Sequence, residues 1–172
     1  MQTPTKPFDA EDLYLDLLEQ VRRGLQGTAD AAIVGIYSGG AWLAERLAAD
    51  LGMSDRLGFI DVSFYRDDYA RKGLHPDVKP THLGFDVDHA TIVLVDDVLY
   101  TGRTTRAAIN VLFDFGRPAR IMLAALADRG GRELPVAADF VAARVALEPR
   151  QALVLQRGAD GTLTLTIEDD NA

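Results

Sequence analysis

Residues 95–104 read Val95-Asp96-Asp97-Val98-Leu99-Tyr100-Thr101-Gly102-Arg103-Thr104. The apolar run Ile92–Val95 leads into the two carboxylates, and a helical pattern follows from Thr105 to Phe115. This order predicts a buried strand, a short loop and a helix of an α/β sheet. Loop N–H groups and a helix N-terminus at the carboxyl end of a strand bind phosphate, and the carboxylates suit ribose hydroxyls or a hydrated Mg²⁺. The stretch therefore predicts a sugar-phosphate site.

The same residues also have a plain structural interpretation, in which the two acids cap the following helix and Thr-Gly-Arg-Thr is an ordinary turn. The combination of an apolar strand, a double Asp and Thr-Gly-x-Thr favours the phosphate site. The loop is not a Walker A motif because no G-x-x-x-x-G-K is present, and Gly35–Gly40 does not fit G-x-G-x-x-G. Neither a P-loop nor a dinucleotide site is expected.

The composition is that of a soluble globular enzyme. The chain has 172 residues, 48% of them apolar and 26% charged, which suffices for one domain with a real core. The absence of cysteine excludes disulfides and thiolate metal sites. No apolar run reaches the roughly 20 residues of a membrane span, so a cytoplasmic protein without a membrane partner is expected. The net charge of −8 disfavours broad nucleic-acid binding but leaves room for a local basic patch.

Hydrophobic periodicity predicts alternating helices and strands through residue 127, which implies a central parallel sheet with right-handed crossovers. Asp9 is the expected N-cap of the first helix, which ends near Gly24–Gly27. The predicted strands are Ala31–Tyr37, Leu57–Phe64, Thr91–Val95 and Arg120–Ala127, and the other predicted helices are Ala41–Leu51 and Thr105–Phe115.

Two regions depart from this alternation. Residues 65–90 are polar, contain two prolines and lack periodicity, which is typical of a functional loop such as a lid. Its cations Arg66, Arg71 and Lys72 could close over a polyphosphate or simply be solvated. Residues 136–168 contain three short strand patterns and predict a small β-rich hood on a core of residues 9–135, all within one domain of residues 1–172. Those patterns are Phe140–Ala142, Ala152–Gln156 and Leu163–Ile167.

Two further loops follow predicted strands. Ser38-Gly39-Gly40 precedes a helix and is either a second anion site or a tight turn. Arg129 follows the strand Arg120–Ala127, so it should lie at the same sheet edge as the acidic pair. There it could donate to carbonyl oxygens of a base, or it could be an ordinary surface arginine.

These motifs together resemble a known family. The run Ile92–Thr104 matches the PRPP-binding motif of type I phosphoribosyltransferases, where PRPP is 5-phosphoribosyl 1-pyrophosphate. Other stretches resemble the PyrR family of bifunctional pyrimidine-operon regulators and uracil phosphoribosyltransferases. They are Ile33–Ile36, Ile60–Asp68, Gly116–Pro118 and Asp128–Pro135.

The resemblance implies a type I phosphoribosyltransferase fold with a five-stranded parallel core, a flexible loop and a hood over the base. It implies conversion of uracil and PRPP to UMP and pyrophosphate with Mg²⁺, which arrives with PRPP rather than on protein ligands, and a homo-oligomer. Asp96 and Asp97 would bind the ribose hydroxyls and serve as the catalytic residues, and Arg129 with a hood residue near Val154 would contact uracil. The substrate-binding residues would be Ser38, Gly39, Arg66, Asp96, Asp97, Val98, Leu99, Tyr100, Thr101, Gly102, Arg103, Thr104, Arg129 and Val154.

Two departures from the family pattern keep alternatives open. Ser38-Gly39-Gly40 replaces a Thr-Arg-Gly found in many relatives and so lacks a cation for pyrophosphate. The segment Val136–Ala143 and the first helix carry few of the cations expected for leader-RNA binding, although Arg132 remains. The alternatives are a UMP-sensing RNA-binding attenuation regulator with secondary catalysis, and a phosphoribosyltransferase for hypoxanthine or orotate.

Overall fold

The computed structural model describes residues 8–62 and 81–169. Asp9 caps the first helix by accepting hydrogen bonds from the N–H groups of Glu11 and Asp12, as the sequence predicts. The helices are α1 (Ala10–Gly24), α2 (Gly39–Asp50) and α3 (Arg103–Phe115), with a 3-10 turn at Ser54–Arg56. The strands are β1 (Ala31–Ile36), β2 (Leu57–Ile60), β3 (His82–Leu83), β4 (Thr91–Leu99), β5 (Arg120–Asp128), β6 (Phe140–Arg144), β7 (Gln151–Arg157) and β8 (Leu163–Asp169).

The main sheet has six strands in the order β3-β2-β1-β4-β5-β6. Five of these strands, β2, β1, β4, β5 and β6, pair in parallel with their neighbours. The sixth, β3, pairs antiparallel with β2 at the edge of the sheet. The sheet confirms the predicted parallel core. Helices cover both faces, so β1 and β4 are buried along almost their whole length.

Alternate residues of β4 point into two separate cores. Val93 and Val95 pack with α1, α2 and the β7–β8 hairpin, whereas Ile92 and Leu94 pack with α3. The hairpin therefore shares the core of α1 and α2. Within the described residues, no helix has the length and apolar character needed to span a membrane.

The structure corrects two sequence predictions. The first strand of the predicted hood, β6, belongs to the main sheet, where Phe140 pairs with Ala124, and only β7 and β8 form a separate sheet. A short apolar run does not reveal its pairing partner, which explains the error. The predicted loop 65–90 contains β3 near its end; Arg66, Arg71 and Lys72 lie outside the described residues.

Candidate active site

The acidic pair lies within β4, because the strand continues to Leu99 rather than ending at Val95. Asp96 is buried and Asp97 is half-buried. The N–H of Asp97 donates to Asp96 Oδ1 (2.9 Å), and the N–H of Val98 donates to Asp97 Oδ1 (2.8 Å). These bonds orient both carboxylates at the carboxyl end of the central strand.

The loop after β4 ends at the N-terminus of α3, which begins two residues earlier than predicted. Gly102 is left-handed with φ 93°, and Thr101 Oγ1 accepts a hydrogen bond from the N–H of Arg103 (3.2 Å). Thr101 and two residues of the first turn of α3, Arg103 and Thr104, line one cavity. This arrangement suits a phosphate group.

The turn after β1 packs directly against the acidic pair. A Cβ added to Gly39 would overlap Asp97 Oδ2 and would lie 2.8 Å from Asp97 Cγ, so only glycine fits at this position. Ser38 precedes α2 and lines the cavity next to Asp97. The second predicted anion site therefore adjoins the first.

The loop after β5 lies beside the loop after β4, as the sequence predicts. The N–H of Arg129 donates to Leu99 O (3.0 Å), and the N–H of Glu133 donates to Thr101 O (2.9 Å). The Arg129 guanidinium lies 3.9 Å from the centre of the Tyr100 ring. Its Nε is buried and has no hydrogen-bond partner among the described residues.

These segments surround one cavity of about 700 Å³, a size typical of small-molecule sites. Gly39, Leu99 and Gly102 are not among the residues that line it, and Arg66 lies outside the described residues. The predicted residues that line the cavity are Ser38, Asp96, Asp97, Val98, Tyr100, Thr101, Arg103, Thr104 and Arg129.

The β7–β8 hairpin contributes Ala152 and Leu153 to the cavity rather than the predicted Val154. Leu153 and Leu155 are buried in the core, whereas Val154 is half-buried and does not line the cavity. The contact between this strand and a base stays a prediction, and the two residues of the strand that line the cavity directly precede Val154.

Sequence reasoning also missed Glu133, which lines the cavity and pairs with Arg103 (Nε–Oε1 3.3 Å). Both side chains are about half-exposed. A phosphate bound at the α3 N-terminus would compete with Glu133 for Arg103. Glu133 belongs to the stretch 128–135 that the sequence singles out, but its role depends on a contact across 30 residues.

The cavity offers oxygen ligands of the kind that Mg²⁺ prefers. The described residues contain no cluster of three or more His, Cys, Asp or Glu side chains that could hold a metal ion. Asp96 and Asp97 nevertheless provide two carboxylates beside the predicted phosphate sites. This donor set fits a Mg²⁺ ion that keeps several waters and is held mainly by substrate phosphates.

Comparisons with known proteins agree with this geometry. Residues 10–146 match the family model described as phosphoribosyl transferase domain. "Bifunctional protein PyrR" of Ralstonia nicotianae is 50% identical, covering 98% of this chain and 99% of the relative. A protein of the same name from Pseudomonas aeruginosa is 48% identical over 82% of this chain and 79% of its own.

Solved structures show the same fold. A purine phosphoribosyltransferase from Pyrococcus horikoshii has a TM-score of 0.60 and 30% identity, covering 80% of this chain and 83% of its own. A hypoxanthine phosphoribosyltransferase from Staphylococcus aureus has a TM-score of 0.61 and 20% identity, covering 81% and 75%.

Proposed function

This chain belongs to the PyrR group of the phosphoribosyltransferase family, and we propose that it transfers the phosphoribosyl group of PRPP to uracil, giving UMP and pyrophosphate. The observation that carries the proposal is the meeting of four elements at one cavity. These are the acidic pair of β4, the N-terminus of α3, the turn before α2 and the loop that holds Arg129. Each matches one part of the two substrates.

Each part of PRPP has complementary groups. The N–H groups at the start of α3, with Thr101 and Thr104, suit the 5′-phosphate, and the Asp96 and Asp97 carboxylates suit the ribose hydroxyls. Ser38 and the backbone at Gly39 suit the pyrophosphate. Arg129 lines the cavity, and its guanidinium suits a carbonyl oxygen of uracil.

The reaction requires no nucleophilic side chain. The bond between ribose C1′ and pyrophosphate breaks, uracil N1 forms the new bond to C1′, and the N1 proton passes to solvent. Positive charge develops on the ribose while the carboxylates of Asp96 and Asp97 lie beside it, and preorganised donors face the leaving anion. When bound with PRPP, Mg²⁺ would neutralise part of the pyrophosphate charge.

A regulatory activity is the second candidate, because the relatives that cover most of this chain are named bifunctional proteins. The identity of the base that accepts the phosphoribosyl group is the other point on which alternatives remain. Two of the structural neighbours are named for hypoxanthine or purine, but they are at most 30% identical to this chain. The stretch 128–135, which surrounds Arg129, supports uracil through its resemblance to PyrR proteins.

The test is an assay of the purified chain with PRPP, Mg²⁺ and uracil, hypoxanthine or orotate in separate reactions. We expect UMP and pyrophosphate from uracil only. Product from another base with none from uracil would overturn the base assignment. No product from any base would overturn the proposed enzymatic function.

A further inference from the structure

We propose that Arg132 is a positioning residue that joins the loop after β4 to the loop after β5 and thereby places Arg129 against the Tyr100 ring. The inference rests on the proposed function of the cavity, because it concerns the residues that support Arg129, the proposed contact for the uracil base. Arg132 does not line the cavity.

Arg132 donates hydrogen bonds to three separate segments. Its Nη1 donates to Tyr100 O (2.6 Å), its Nη2 to Asp128 Oδ2 (2.6 Å) and its Nε to Val136 O (2.8 Å). The planar guanidinium can reach three acceptors in different directions at once. A lysine ammonium at the end of a flexible chain cannot reproduce this fixed geometry.

Asp128, the one carboxylate among these three acceptors, is itself fixed by further contacts. Asp128 ends β5, and its side chain is 7% exposed. Its Oδ1 accepts from the N–H of Gly130 (2.9 Å), and Arg144 approaches Oδ2 at 3.3 Å. Burial disfavours the charged carboxylate, but the hydrogen bonds from Arg132 and Gly130 outweigh it and lower the pKa of Asp128.

The Tyr100 ring is the part of this network that reaches the substrate site. The Arg129 guanidinium stacks on the ring, and a Cβ added to Gly131, whose φ is +76°, would lie 2.6 Å from Tyr100 Cε2. The ring therefore contacts both the Arg129 side chain and the Gly131 backbone, while Tyr100 as a whole is 45% exposed. Because Arg132 holds the Tyr100 carbonyl, it fixes the residue on whose ring the Arg129 guanidinium stacks beside the cavity.

This role differs from the one that the sequence left open for Arg132. An arginine that contacts RNA phosphates must offer donors to solvent, whereas the Arg132 side chain is 24% exposed and donates to three internal oxygens. The structure therefore favours a role in supporting the loops beside the cavity over an RNA contact.

The test compares Arg132→Lys with Arg144→Gln in steady-state kinetics. Arg144→Gln is the matched control, since Arg144 also contacts Asp128 but is 73% exposed and has no described bond to Tyr100. Loss of a multidentate charged contact is expected to raise the KM for uracil roughly tenfold in Arg132→Lys, with smaller changes in kcat and in the KM for PRPP. Arg144→Gln should remain close to the wild type.

A second variant and a second readout separate positioning from folding. Tyr100→Leu removes the ring, and its effect on the KM for uracil should not add to that of Arg132→Lys in the double variant. Amide hydrogen exchange of Arg129, Glu133 and Leu134, which donate across the two loops, should accelerate in Arg132→Lys but not in Arg144→Gln.

Unchanged KM for uracil and unchanged exchange in a folded Arg132→Lys variant would overturn the inference. Loss of RNA binding with unchanged kinetics would also overturn it, because Arg132 would then be a nucleic-acid contact. If the wild type forms no UMP, the proposed function fails, and the exchange measurement still decides whether Arg132 joins the two loops.

Discussion

At the scale of single residues, Gly39 determines where the Asp97 carboxylate lies. In Gly39→Ala the new methyl group would overlap Asp97, so the carboxylate or the turn must move. We expect the turnover rate to fall on the order of 100-fold, because small displacements of reacting groups have effects of that size. Overpacking should lower the free energy of unfolding by about 1–3 kcal/mol. Steady-state assays measure the turnover rate, and urea titrations measure the free energy of unfolding.

The matched control for this substitution is Gly84→Ala. A Cβ at Gly84 would meet its nearest neighbour at 3.5 Å, an ordinary van der Waals distance, and this glycine lies away from the cavity. Its variant should keep wild-type activity. Full activity in Gly39→Ala would show that the turn does not need to approach Asp97 closely.

The ionisation of the Asp128 carboxyl group should make the stability of the fold depend on pH. Its pKa in the folded protein lies below the usual value of 3.8, so its ion pair stabilises the fold fully above that pH and is lost as the pH falls through the lowered pKa. Asp128→Asn should lower the free energy of unfolding at pH 7 by about 1.5–3 kcal/mol, since it leaves Arg132 without its charged hydrogen-bond partner. Urea unfolding should show that this deficit narrows below about pH 3.8, whereas a constant deficit would mean that the charge of Asp128 does not contribute.

At the scale of elements, α1 protects the outer edge of the main sheet. Gln20 Nε2 donates to Val141 O (2.9 Å), and the N–H of Val141 donates to Gln20 Oε1 (3.1 Å), so one amide side chain pairs with an edge residue of β6. Unpaired edge strands invite association with other chains. Gln20→Ala should lower the free energy of unfolding by about 1–2 kcal/mol and Tm by roughly 2–6 °C in thermal unfolding.

Gln26→Ala provides the control for this prediction. Gln26 is exposed just after α1, and the same change of residue type there should leave Tm within about 1 °C, as expected of a surface substitution. Equal Tm values for the two variants would show that the contact between Gln20 and β6 adds nothing to stability.

Elements with strong periodicity could be predicted from the sequence, but pairing between elements could not. The buried runs of β1, β4 and β5 and the order of strands and helices are confirmed. The helices α2 and α3 begin earlier than predicted because glycine and polar residues at their N-termini carry no apolar signal. The placement of β6 depends on contacts with β5 and Gln20, which no local pattern encodes.

The residues of the candidate site likewise fall into those that could be predicted from the sequence and those that could not. Asp96, Asp97 and Arg129 could be predicted to meet because parallel strands place their following loops at one edge. Ala152, Leu153 and Glu133 could not, since the hairpin and the Arg103 ion pair reach the cavity through tertiary packing. Arg132 is the clearest case, because its sequence suggests a surface cation and only its three internal acceptors reveal its position.

At the scale of the whole molecule, the β7–β8 hairpin is attached to the helices that also support the site. The N–H of Leu163 donates to Glu11 Oε1 (2.8 Å) on α1, while Arg46 of α2 pairs with Glu11 Oε2 (2.7 Å). The hydrogen bond from Arg46, with that from Leu163, lowers the pKa of Glu11 and so favours the charged form of its carboxyl group. Because α2 begins at Gly39, the hairpin and the turn beside Asp97 share one support.

The overall charge bears on whether the molecule also binds RNA. The chain has 26 acidic and 18 basic residues, and among the described arginines Arg22 and Arg23 pair with Glu19 while Arg132 faces inward. Affinity for RNA depends on cations that replace counterions at phosphates, so a net charge of −8 should weaken it. We expect a pyrimidine-operon leader RNA to bind no more tightly than roughly 1 μM at physiological salt, in the range of non-specific binding.

Filter binding over a series of salt concentrations, with and without UMP, measures this directly. The control is an RNA of the same length and composition with a scrambled loop. Weak binding that is equal for the two RNAs and insensitive to UMP is the expected result, because neither sequence would be read by a dedicated surface. The contradicting result is nanomolar binding of the leader RNA but not of the scrambled RNA, strengthened by UMP and steeply weakened by salt. Such binding would require a local cationic surface despite the negative net charge, and Arg66, Arg71 and Lys72 would be the first residues to replace.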